Sequence, residues 1–121
     1  MTLNERIIAV VTPIVPVCVP DLLVTEAGET PPEEYCTFNF PLEPEALADD
    51  TAQLQRALVQ LHYLAPLKAN TVATRRALWQ ALAAVEDFTA PDITNATDQT
   101  GQHYVYEFEA VGCWMGGGSD G

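Results

Sequence analysis

Basic residues are scarce in this chain: five Lys and Arg stand against seventeen Asp and Glu in 121 residues, a formal net charge of −12. That scarcity excludes wrapping of nucleic acid, which needs cations to neutralise phosphates, and disfavours an anionic membrane surface. Nine of the seventeen acids lie between Asp21 and Asp50, a span without Lys or Arg. As loop charge, such acids are solvated and aid solubility. Histidine is limited to His62 and His103. Either would need a partner carboxylate and a nucleophile to act as a general base. Both fall on the polar sides of predicted strands and read as exposed or interface residues. The three cysteines, Cys18, Cys36 and Cys113, form no CxxC and do not group with the histidines into a three- or four-ligand zinc set. Their odd number, with no secretion signal, points to reduced thiols in a cytoplasmic fold. Long hydrophobic runs are also missing. Ile7 to Val19 is broken by Pro13 and Pro16, lacks a basic start and a small-residue cleavage site, and is too short to span a bilayer. The one Gly-Gly-Gly run sits at the C-terminal end, so there is no phosphate-cradling loop. Asp49 and Asp50 form an acid pair of the kind used in metal-assisted hydrolysis, but adjacent loop acids read more simply as a turn. No catalytic, cofactor or metal residue is assigned, and the chain is not expected to be an enzyme.

What is present suits a single α+β domain over residues 1–112, followed by a flexible tail over 113–121. The stretch from Tyr35 to Pro66 organises the rest. Cys36, Phe38 and Phe40 alternate with Tyr35, Thr37 and Asn39, the period of a half-buried strand. Pro41 and Pro44 end it. A second apolar run, Leu54 to Leu64, is ambiguous. Leu54, Leu58, Leu61 and Ala65 sit at helical spacing, with Asp50 as a possible cap. With period two, Ala57, Val59, Leu61 and Tyr63 share one face, while Leu58 and Leu64 fall on the polar one. Periodicity alone mildly favours helix.

Elsewhere the punctuation is clearer. Thr2 or Asn4 caps a first helix with Glu5 in its opening turn, Ile7, Ile8, Val10 and Val11 forming its buried face, and Pro13 stopping it. Ile14 to Val24, interrupted by Pro16 and Pro20, suits an extended segment at a sheet edge. Glu26 to Glu34 reads as an exposed, mobile loop or hairpin tip. Asn70 or Thr71 caps a helix over TVATRRALWQALAAVED, with Leu78, Leu82 and Val85 on one face and Val72 and Trp79 widening the stripe. Trp79 is expected in the core and Trp114 in the tail. Arg75 and Arg76 are placed on the side away from the core. Glu86 and Asp87 oppose the helix dipole, to be relieved by a basic residue from elsewhere or tolerated. Phe88 to Gln99 is turn-rich, with a brief strand at Ile93. Gln102 to Val111 is the clearest strand, presenting Tyr104, Tyr106 and Phe108 to the helix. The expected core therefore holds Phe38, Val59, Leu61, Leu78, Leu82, Tyr104, Tyr106 and Phe108.

The succession YCTFNFPLEPEALADD, LVQLHYLAP, a helix ending LWQALAAVEDF, and the tyrosine-rich GQHYVYEFE resembles small tail-terminator proteins of long-tailed phages, also called tail-completion or minor tail proteins. Their Tyr-x-Thr-Phe-Asn element is matched by Tyr35, Thr37, Phe38 and Asn39. Their Ala-Asp-Asp step is matched by Ala48 to Asp50, and a Val-Gln-x-His strand core by Val59, Gln60 and His62. The resemblance covers residues 3–111. It departs at VTEAGETPPEE, which is longer than usual, and at the CWMGGGSDG tail, which has no counterpart.

The resemblance implies that the second apolar run is a long strand. It also implies a curved, mainly antiparallel sheet with an N-terminal and a central helix packed on one face. In function it implies a structural virion component of the tail or neck, assembled in the host cytoplasm. Such proteins form rings, usually hexameric, that end the tail tube and join it to the head connector. The implied partners are copies of the chain itself, the tail-tube protein and the head-completion or connector protein. DNA would pass through an acidic lumen without specific binding, and no membrane is involved. Candidate contact residues are Glu26, Glu29, Glu33 and Glu34 in one loop and Glu43, Glu45, Asp49 and Asp50 in the next. The alternatives are a head-completion or connector subunit and a small acidic cytoplasmic adaptor.

Overall fold

A computed structural model describes residues 2–21, 23, 27–30, 32–40 and 55–112. The chain runs α1 (Leu3–Val11), β1 (Cys18–Pro20), β2 (Tyr35–Asn39), β3 (Gln55–Ala65), α2 (Val72–Ala83), β4 (Asp92–Asn95) and β5 (Gln102–Gly112). The strands form one five-stranded sheet in the order β1-β2-β3-β5-β4. β1 pairs with β2 in parallel, and the other three pairings are antiparallel. The fold is α+β, with a mainly antiparallel sheet.

The ambiguous run resolves as β3, the central strand, paired along its whole length with β5 and over five residues with β2. Ala57, Val59, Leu61, Tyr63 and Ala65 are buried, whereas Leu58 is 46% exposed and Leu64 half-buried. Helical spacing lost because backbone groups flanked by two strands gain a ladder on both sides, and the buried set of one face is then continuous. β5 alternates without a break, Gln102, Tyr104, Tyr106, Phe108 and Ala110 facing inward.

α1 starts at a capping box, with the Glu5 amide bonded to the Thr2 hydroxyl at 3.2 Å and the Thr2 amide to the Glu5 carboxylate at 2.8 Å. Its buried line is Leu3, Ile7 and Val11; Ile8 and Val10 are only partly buried. Leu78 and Leu82 of α2 are buried, and the Tyr106 hydroxyl donates to the Arg75 carbonyl at 3.1 Å, tying α2 across β5. Phe88 closes the core against Phe108, with ring centroids 4.8 Å apart. All eight expected core residues are buried. The extended edge segment is β1, after which Asp21, at φ 64°, turns the chain while its amide bonds the Phe38 carbonyl at 2.7 Å. Among the described residues, no helix is long and apolar enough to cross a membrane.

Three expectations change. Arg75 is not turned away: its guanidinium lies 4.5 Å from the centroid of the Tyr104 ring, and its Nε donates to the Thr71 hydroxyl at 3.0 Å. Trp79 is not a core residue, being 37% exposed, and Val72 is 54% exposed. The buried stripe of α2 is thus narrower than its apolar composition, because the sheet beneath ends at the short strand β4. Capping of α2 is also divided. Thr71 is the N-cap by position but its hydroxyl donates to Gln102, while the Asn70 side chain accepts the Val72 amide at 3.2 Å. The charge at the end of α2 does find a base, since Arg6 of α1 reaches Asp87 at 3.2 Å.

Candidate interaction surfaces

The helices cover one face of the sheet, and the other carries the alternate residues of each strand. On β3 these are Arg56, Leu58, Gln60, His62 and Leu64; on β5 they are His103, Val105, Glu107, Glu109 and Val111. Gln60 donates to Glu107 at 2.9 Å, and Arg56 approaches Glu109 at 3.9 Å. Both pairs cross from β3 to β5, so this face is knitted by polar side chains rather than by a packed core. Neither edge strand has a second neighbour among the described residues: β1 pairs only with β2, and β4 only with β5.

The two histidines meet here. His62 Nδ1 and His103 Nε2 are 2.8 Å apart, so one ring nitrogen carries the proton and donates to the other. They occupy diagonal positions, since His62 is opposite Val105 and His103 opposite Leu64. Burial, and secondly the neighbouring His103, holds the His62 pKa below its ordinary value. A cleft of about 290 Å³ is lined by the pair with Asp21, Leu23, Tyr35 and Thr37. Thr37 is buried there although it faces away from the helices. Among the described residues, no three His, Cys, Asp or Glu cluster in a way that would hold a metal ion.

The acidic candidates separate. Glu26, Glu43, Glu45, Asp49 and Asp50 lie outside the described residues. Glu29 and Glu33 are exposed. Glu34 is partly buried and accepts a hydrogen bond from the Tyr63 hydroxyl, a core side chain. It anchors the entry of β2 rather than presenting charge. Burial, followed by this bond to a carboxylate, drives the Tyr63 hydroxyl pKa far up, keeping it a donor. Asp98, in the turn before β5, is held below the usual carboxylate range by the Thr100 hydroxyl and amide.

A third surface was not anticipated. An open groove of about 510 Å³ runs between α2 and the edge strand β4, lined by Val72, Arg75, Arg76, Trp79, Gln80 and Ile93. Ile93 faces the helices because it pairs with inward-facing Tyr106, yet it is 45% exposed. The Trp79 indole N–H donates to the Pro91 carbonyl at 2.9 Å, which fixes the ring half in solvent. Arg76 is exposed and has no ion-pair partner among the described residues. The signal was the seven-residue spacing of Val72 and Trp79, offset from Leu78 and Leu82. Whether that second apolar stripe is covered depends on where the sheet ends.

No protein-family model matches the chain, and no curated protein is significantly similar to it.

Proposed function

We propose that this chain is a structural subunit that works by assembling with copies of itself into a closed ring. Within that class, we propose that it terminates the tail tube of a long-tailed phage and presents a docking face to the head connector. The observation that carries the class is a sheet that, among the described residues, is covered by helices on one face only, with each edge strand paired on one side. Free edges and a bare face are surfaces that a solitary protein must defend and an assembling one uses. Heterologous contacts between such surfaces make rings when the rotation closes. The particular reading is supported by the Tyr35-x-Thr37-Phe38-Asn39 element on β2 and by Val59, Gln60 and His62 on β3. It is supported too by the order of helix, edge segment, two paired strands, helix and tyrosine-rich strand.

The test is mass in solution by light scattering from micromolar to near-millimolar protein, with electron micrographs of the same samples. The expected outcome is a ring, formed alone at high concentration or on added tail-tube protein, whose tubes then stop growing. A monomer that neither closes on itself nor caps or shortens tubes would overturn the reading. Binding to portal-side components instead of tubes would assign the ring to the connector.

A further inference from the structure

We propose that the groove between α2 and β4 receives the acidic β1–β2 side of a second copy of this chain. The inference rests on the ring-forming reading and specifies its contact. The two sides lie at opposite ends of the strand order β1-β2-β3-β5-β4, the arrangement a head-to-tail contact requires. Their chemistry is opposite as well. The groove is lined by two arginines, three apolar side chains and one glutamine, with no acid among them. On the other side, Asp21 follows β1 and Glu33 precedes β2, both exposed and within the span of the sequence that has no Lys or Arg.

In a chain with five basic residues, their allocation is informative. Arg6 pairs with Asp87 and Arg56 approaches Glu109, each within its own copy. Arg75 spends its planar charge on Tyr104 and Thr71 but still lines the groove. Arg76, with no ion-pair partner among the described residues, stands beside Trp79. A rigid, half-exposed Trp flanked by Arg is the composition of an interface anchor. Val72 and Ile93 supply apolar area around it. The register also keeps the nearest strand acid out of the way: Asp92 is opposite Glu107 and therefore faces the side of the sheet away from the helices, while Ile93 faces the groove. A groove of cationic and apolar character on a molecule of charge −12 selects the acidic side of an identical neighbour over its other surfaces.

The experiment is a charge exchange on the full chain, read by sedimentation equilibrium. Arg76→Glu and Glu33→Arg are made as separate proteins; both sites are exposed, and thermal melts confirm that each variant folds. Each alone is expected to self-associate roughly tenfold or more weakly than the parent. An equimolar mixture is expected to recover the parent's association, because each contact then joins opposite charges. Trp79→Ala, with its melt as control, is expected to weaken association without recovery by either partner. If the parent forms rings and both charge variants form them undiminished, or if the mixture fails to recover, the groove assignment is overturned and the ring reading stands. If the parent associates under no condition, including added tail-tube protein, the ring reading fails and takes this assignment with it.

Discussion

The carboxamide of Gln102 joins three elements at the start of β5. Its nitrogen donates to the carbonyls of Pro66 at 2.7 Å and Ala69 at 2.8 Å, and its oxygen accepts from the hydroxyls of Thr71 and Tyr104. Every partner lies in the β3–α2 connection or on β5, so this buried amide holds the turn onto the sheet. Gln102→Leu would leave two carbonyls and two hydroxyls without it. A loss of about 2–4 kcal/mol is expected by urea unfolding; a loss below about 1 kcal/mol would contradict the role. Nothing in the sequence around Gln102 distinguishes it, because its partners become neighbours only after β3 and β5 pair. The histidine pair has the same origin, being 41 residues apart in sequence. His62, with its pKa depressed in the folded state, favours the neutral form there. The unfolded chain therefore binds more protons below the ordinary value of 6.5. The contribution is fully present above that value and is lost as pH falls through the folded pKa. In urea titrations from pH 8 to pH 5, His62→Gln is expected to show a shallower fall in stability than the parent. Equal slopes would remove His62 from the acid response.

At the scale of elements, α1 was readable because its signals are local. Thr2 and Glu5 are three residues apart, and their reciprocal bonds need no other part of the fold. Thr2→Ala is expected to cost about 1 kcal/mol, measured by the shift of the denaturation midpoint with an unchanged slope. A changed slope would mean that more than the cap had been lost. β5 was readable for a related reason, its alternation being unbroken from Gln102 to Ala110. β3 was not, since Leu54, Leu58, Leu61 and Ala65 satisfy a helical period while Ala57, Val59, Leu61 and Tyr63 satisfy a strand. A pattern compatible with both periods is decided by what lies alongside, here β2 and β5. The buried stripe of α2 is narrower than its apolar composition for the same reason. Leu78 and Leu82 meet the sheet, whereas Val72 and Trp79 overhang its edge.

For the whole molecule, two cysteines provide a measure of closure. Cys18 of β1 and Cys36 of β2 are register partners and both are buried. Burial pushes the Cys18 thiol up to about 11 and the Cys36 thiol higher still, so neither holds an appreciable thiolate near neutrality. In a Cys113→Ser background, a thiol reagent is expected to label the native protein only at the rate at which the β1–β2 edge opens. Labelling as fast as in urea-unfolded chain would show that this edge does not stay closed.

Sequence by itself determined the capped first helix, the strand character of β2 and β5, all eight expected core positions and the segregation of acid before Asp50. Each is a matter of local period, local capping or composition, and these act between residues that are neighbours along the chain. Tertiary structure decided that β3 is a strand, that Glu34 serves the core, that the histidines touch, and that Trp79 and Arg76 stand together beside β4. Those outcomes depend on which strands pair and where the sheet ends. Pairing is settled by the combined burial of distant segments, a quantity that no single segment contains.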